Sequence, residues 1–325
     1  MRPYLPAAAL AMLMPVALHS APVEHANAAP SWITLGTMGG PLANAHRSQP
    51  ANLLLTDQGP VLVDAGDGAV EQLAKVGIPL ARVHAVVLSH LHWDHTAGLQ
   101  AVLGLRFQTD VPGKLRIYGP PGTAALIAGL VASMQPAAEA GYGNPSAAHV
   151  DPADTVEVTE LAEGSKVALT PAVAMIAAQN SHYSFPQGGE LDRKFKSFSY
   201  RFERPGRSIV YTGDTGPSPA VERLARGADL LVSEMIDVPA TIAAVRRNAP
   251  GMPEKQFAAM NWHLSTHHLT PTQVGELANR AHVGRVVITH IVPGDHTSAD
   301  KHRYLREIRR NYAGPAAIAD DLDRF

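Results

Sequence analysis

The chain reads as short apolar, β-branched runs stopped by glycine or proline and alternating with stretches of helical periodicity. Trp32-Ile33-Thr34-Leu35-Gly36 predicts a first strand, closed by Gly39-Gly40-Pro41. Residues 52–56 and 60–64 predict a hairpin over Asp57-Gln58-Gly59, and the run from Val61 ends in Asp64-Ala65-Gly66. A helix over 69–76 and a buried strand over 83–88 follow, and a second helix begins near Thr96. Residues 115–120 predict a strand and 122–134 a helix, whereas the Ala-, Pro- and Gly-rich residues 135–154 read as an irregular loop. Further strands are predicted near Val156 and over 167–170 and 173–177. A hairpin spans 198–203 and 208–212 over Arg204-Pro205-Gly206-Arg207, and a strand over 229–234 ends in Glu234. Residues 238–267 read as helical fragments broken by Pro250 and Pro253. Residues 271–282 read as a helix capped by Thr270, 284–289 as a strand ending in His290, and 299–311 as a basic amphipathic helix with a solvated face. Nothing resembling a linker divides this alternation, so one four-layer αββα domain fits better than two domains.

Composition adds limits. With 46% hydrophobic residues the 325-residue chain has ample material for a core. A net charge of −2 gives no electrostatic case for nucleic acid, whose binders usually carry a basic face. The absence of cysteine removes disulfides, thiolate metal sites and cysteine nucleophiles together. At the N-terminus Arg2 precedes an apolar stretch over 5–18, interrupted by Pro6 and Pro15 and too short to span a bilayer; Ala26-Asn27-Ala28 offers a cleavage site. Residues 1–28 are therefore read as a secretory signal and 29–325 as the mature domain. No later stretch has membrane-spanning length, so the expectation is a periplasmic or secreted protein without a membrane partner.

The chemistry concentrates in Leu88-Ser89-His90-Leu91-His92-Trp93-Asp94-His95, where three imidazoles and a carboxylate follow a buried strand. His90 and His92, two apart, project to one side. Nitrogen and carboxylate donors without thiolates suit zinc, with iron or manganese as second choices. His182, Asp214 and His290 also stand at the ends of predicted strands, on the edge where sheet-based sites collect.

His90-x-His92-x-Asp94-His95 resembles the signature of the metallo-β-lactamase superfamily. The likeness runs from Gly36 to His290 with the later motifs in order, and is nearest to the branch of tRNase Z and the zinc-type arylsulfatases and phosphodiesterases. The resemblance implies the metallo-β-lactamase αββα sandwich and two Zn2+ ions. His90, His92 and His182 would hold one ion, and Asp94, His95 and His290 the other, with Asp214 bridging. It implies also that Asp64 hydrogen-bonds the metal loop without binding metal. Glu234 and His268 resemble an acid–histidine pair outside the metals, with His267 as a rival; catalysis is thus assigned to Asp94, Glu234 and His268.

The implied reaction is hydrolysis by a hydroxide bridging two cations, with His268 protonating the leaving oxygen. Three features steer the substrate away from tRNA: the leader, the neutral charge balance, and an interval between His182 and Asp214 that one hairpin consumes, where the tRNase Z family places an RNA-binding arm. Tyr200-Arg201-Phe202-Glu203 and Tyr211-Thr212-Gly213-Asp214-Thr215 resemble arylsulfatase-like relatives. The expectation is accordingly an exported hydrolase of small sulfate or phosphate esters, with a small-molecule ester as partner, no nucleic acid, and a homodimer as the branch allows. β-Lactamase activity, a tRNase Z-type ribonuclease and a non-hydrolytic or di-iron redox protein are the alternatives. Residues 135–149, with Tyr142, and the group Met252, Met260 and Trp262 are candidates for a pocket wall over an aromatic substrate.

Overall fold

The computed structural model describes residues 31–141, 143, 150–204 and 206–325. The leader read at 1–28, Tyr142, residues 144–149 of the candidate wall and Pro205 of the hairpin turn lie outside the described residues. Six strands form one sheet in chain order: β1 (Ser31–Gly36), β2 (Ala51–Thr56), β3 (Gly59–Ala65), β4 (Ala85–Val87), β5 (Leu115–Gly119) and β6 (Val156–Glu160). The first three pair antiparallel and the remainder parallel. The second sheet holds β7 (Lys166–Thr170), β8 (Val173–Gln179), β9 (Phe198–Arg204), β10 (Arg207–Tyr211), β11 (Leu230–Ile236), β12 (Val286–Val292) and β13 (Ala316–Ile318). It too starts as an antiparallel meander, through β10, and finishes parallel.

Residue alternation explains the layers. In β3, Val61 and Val63 enter the core between the sheets while Leu62 packs under the helices. In β11, Leu230 and Val232 face between the sheets and Leu231 faces outward. Strands buried on both faces need apolar residues at every position, which these runs supply. Trp32, Phe198, Tyr200, Phe202 and Tyr211 fill the central layer; helices cover both outer faces, giving the single αββα domain that the alternation predicts. Among the described residues no helix is long and apolar enough to cross a membrane.

Three local differences matter. The helix expected to stop at Met134 runs Thr123–Ala140 through Pro136, because the alanines after it are strong helix formers and the Gly141 amide closes the last turn on Ala137. The helix expected from Thr96 begins at Trp93, so Asp94 and His95 lie within a one-turn helix. Neither Glu234 nor His290 ends its strand. Ser233 pairs with Ile288 but Met235 with Ile291, so β12 carries one extra residue at Thr289–His290, where His290 takes φ +39°. Val286, Ile288 and Ile291 all face the outer core. The bulge therefore breaks the period of two at His290 and turns its imidazole to the face Glu234 occupies.

The junction between β3 and the one-turn helix is closed by glycine. A Cβ on Gly66 would lie 2.2 Å from the Asp94 carbonyl oxygen and 2.7 Å from Cβ of Gln49. Gly66→Ala is expected to lower stability by about 1–3 kcal/mol through overpacking and to cut metal retention. Thermal unfolding and metal analysis of the purified variant check both; an unchanged melting temperature would refute the tight junction.

Candidate metal centre

Asp64 is the pivot on which the metal-ligand loop is built. It sits at the end of β3 with φ +56° and no solvent exposure. Such a backbone costs about 1–3 kcal/mol and persists only when its surroundings fix it. Here they do. Its carboxylate accepts from the Ser89 amide at 2.7 Å, the Ser89 hydroxyl at 2.8 Å, His95 Nδ1 at 2.8 Å and the Tyr211 hydroxyl at 2.7 Å. The Ser89 hydroxyl also lies 3.0 Å from His90 Nδ1. One carboxylate thus sets the rings of His90 and His95 with their Nε2 atoms facing the site, as outer partners of ligating histidines do.

Two clusters face each other there. His90 Nε2 and His182 Nε2 lie 3.0 and 3.1 Å from His92 Nδ1. These are near the edge of a tetrahedron with bonds of about 2.0 Å, the zinc–nitrogen length. His182 is fixed from behind by the His267 carbonyl, 3.2 Å from its Nδ1. In the second cluster Asp214 Oδ1 is 3.2 Å from His95 Nε2, and Asp214 Oδ2 is 3.1 Å from His290 Nε2. Asp94 Oδ2 lies 3.5 Å from His290 Nε2 and 3.7 Å from His95 Nε2, and accepts from the Gly40 amide. Despite these separations, His95 Nε2, His290 Nε2 and Asp214 Oδ1 are buried without an aligned hydrogen bond. They converge on a common point rather than on one another, which is how ligands of a cation are arranged. Asp214 Oδ2 is also 3.9 Å from both His90 Nε2 and His182 Nε2, so its carboxylate stands between the clusters. The donor set fits a divalent metal such as zinc.

Electrostatics separates the two clusters. Burial drives His90, His182 and His92 below the usual histidine range, leaving neutral imidazoles. In the second cluster burial is outweighed. Asp214 and Asp94 hold His95 well above its usual value, and Asp214 pushes His290 up to about 10. Burial likewise pushes Asp214 and Asp94 up, but the neighbouring histidines prevail and keep both ionised. Without metal this cluster carries protons where a cation would sit.

The residues expected to cluster do so: His90, His92 and His182; Asp94, His95, Asp214 and His290; and Asp64 behind them. Glu234 meets His268 outside the clusters, Oε2 to Nδ1 at 2.8 Å, and its Oε1 accepts from the Thr215 amide at 2.7 Å. Burial raises Glu234, whereas His268 is raised by Glu234 against the effect of burial, so the acid favours the protonated imidazole. The rival His267 turns Nδ1 to the Ser181 carbonyl at 2.6 Å and braces the loop instead. His263 was not foreseen. One nitrogen of it lies within 4.8 Å of nitrogens on His182 and His268; burial, then His268, pushes it down to about 4. Its only sequence signal is its position four residues before His267, which caps the same helix (Glu254–Thr266). Tyr183 was missed as well; its ring packs against His90, His92 and His182, and burial pushes its hydroxyl up to about 12.

A profile for the beta-lactamase superfamily domain matches residues 60–291. A protein named Ribonuclease Z from Mycobacterium avium (strain 104) is 30% identical over 297 residues, spanning 90% of this chain and 96% of the relative. Another of that name from Mycolicibacterium gilvum is 31% identical over 302 residues, 90% of this chain and 94% of the relative. Among solved structures, human tRNase Z, short form, superposes with TM-score 0.62 at 19% identity, covering 91% of this chain and 98% of that one. These relatives overturn the expected arylsulfatase-type hydrolase of small sulfate or phosphate esters and, with it, the expected absence of a nucleic-acid partner. The motif behind that expectation is structural: Tyr200 and Phe202 are core residues, and Arg201 pairs with Glu203 and donates to the Leu224 carbonyl. The charge argument fails because a whole-chain sum does not describe one face.

Two measurements test the centre. Because His95 and His290 must lose protons to bind a cation, affinity at this cluster is expected to rise with pH, and loading metal-depleted protein near pH 7 to release about two protons. Titration in weak buffer counts them; no release would show those nitrogens already free. Asp64→Asn, which leaves donors facing an amide, is expected to weaken metal binding about 10- to 100-fold, read by competition with a chromogenic chelator.

Proposed function

Since the chain belongs to the β-lactamase superfamily, on its tRNase Z branch, and is a metal-dependent hydrolase of that fold, we propose that it cleaves phosphodiester bonds in RNA as a tRNA-processing ribonuclease. The observation that carries this reading is the nearly end-to-end relationship to proteins named Ribonuclease Z, a match spanning 96% of the relative. We assign the three-histidine cluster to one cation and Asp94, His95 and His290 to a second, with Asp214 shared. Divalent cations held there would supply Lewis acidity toward water and toward the phosphate oxygens.

The chain's own residues account for the rest. Asp64 and the His267 carbonyl hold the ligating rings in place, so no side chain need reorganise as charge develops. Glu234 fixes the His268 tautomer by accepting from Nδ1, leaving Nε2 to carry the proton delivered to the departing ribose oxygen. A ribose oxygen is a poor leaving group and needs that proton; a nitrophenolate does not. The leader read at residues 1–28 bears on where the enzyme meets its RNA, not on the bond it breaks.

Metal-loaded protein is expected to trim a precursor tRNA at its 3′ end, resolved on a denaturing gel. His268→Ala is expected to lower kcat on RNA by about 10²–10⁴-fold, the usual worth of a positioned general acid. Its effect on bis(p-nitrophenyl) phosphate should be much smaller. Equal losses on both substrates would remove the proton-donor role, and intact precursor with active wild-type protein on the nitrophenyl ester would remove the RNA reading.

A further inference from the structure

Two tryptophans stand out of the surface beside the site. Trp93, 75% exposed, lies in the chain between His92 and Asp94, on the one-turn helix that presents both. Trp262, 55% exposed, directly precedes His263 and sets its ring edge-on to His267 at 5.0 Å between centroids. His267 in turn supplies the carbonyl behind His182. The third tryptophan, Trp32, is wholly buried in the central core. Large aromatics are normally buried for the apolar area they remove from water; here two are left in solvent, each one residue from a residue of the site.

Resting on the reading of an RNA phosphodiesterase, we propose that Trp93 and Trp262 are base-stacking residues that hold unpaired nucleotides on either side of the scissile phosphate. Proteins that take single-stranded RNA splay the bases onto aromatic faces, and such stacking tolerates any sequence. Stacking adds affinity beside the imidazoles without base-specific contacts. The loop with the exposed Leu42 borders Trp93, where Pro41 and Ala43 line a shared cleft, so the ring has apolar neighbours for a base edge.

The test uses metal-loaded full-length protein and an RNA hairpin with an unpaired 3′ tail. Trp93→Ala and Trp262→Ala are each expected to raise KM about 5- to 150-fold, the loss of one stacked base. Trp93→Phe and Trp262→Phe should restore most of it, since a smaller ring still stacks. A non-cleavable RNA tail should quench the fluorescence of the exposed tryptophans, with each alanine variant losing part of the quenching. Tail cleavage by the wild type with KM unmoved in both alanine variants would overturn the stacking role while leaving the RNA reading intact. Variants that instead change the sedimentation coefficient, with KM unmoved, would assign these faces to contact between copies and overturn the proposal equally. If the wild type cleaves no RNA, the parent reading fails and this inference with it.

Discussion

An ionised carboxylate cannot be buried among imidazoles without something neutralising it, and Asp214 imposes that condition on the whole site. It is 3% exposed and lies within 4 Å of a nitrogen on each of His90, His95, His182 and His290. Desolvation of an unpaired carboxylate in a protein interior costs several kcal/mol. Protons on His95 and His290 meet that cost in the metal-free protein; cations at the same points would meet it in the loaded one. The choice between protons and cations is therefore made at the second cluster. The first cluster, neutral already through burial, is ready to ligate.

Much of this was legible in the sequence because periodicity and chemistry coincide there. The spacing of His90, His92, Asp94 and His95 behind an apolar strand reports one cluster directly, and strand-end positions gather His182 and Asp214 on the same edge. His290 was placed correctly for an incomplete reason. Its strand does not stop but bulges, and a one-residue bulge leaves no mark in hydrophobic periodicity unless the residues on both sides are known to face the same core. His263 was invisible for a related reason: on an isolated helix a histidine has no partner in view, and only the fold brings that helix over His182. The extension of the helix through Pro136 shows the opposite failure, where a breaker signal was overruled by the alanines that follow.

The substrate was misjudged because two sequence features were credited with chemistry that they do not carry. Tyr200-Arg201-Phe202-Glu203 alternates between the central core and the outer face, where an arginine–glutamate pair sits against a helix terminus. It reports how β9 packs, and any relative with the same packing would share it. Net charge is similarly blunt. It averages 27 basic against 29 acidic side chains over the whole chain and cannot register that two exposed indoles stand next to site residues in the chain.

Asp64 and Glu234 show how one residue type is divided between holding and reacting. Both are fully buried acids facing a histidine of the site at 2.8 Å. Asp64 accepts four hydrogen bonds, three of them besides His95, from Ser89 and Tyr211. With its lone pairs so committed, it keeps its geometry and serves to hold. Glu234 has one amide and one imidazole, and burial raises its proton affinity while it raises that of His268. Glu234 engages only Nδ1 of His268 and favours the protonated ring, which leaves the Nε2 proton on the far side to be given up. The number of donors around each carboxylate, more than its distance from the ligands, decides which of them can take part in proton transfer.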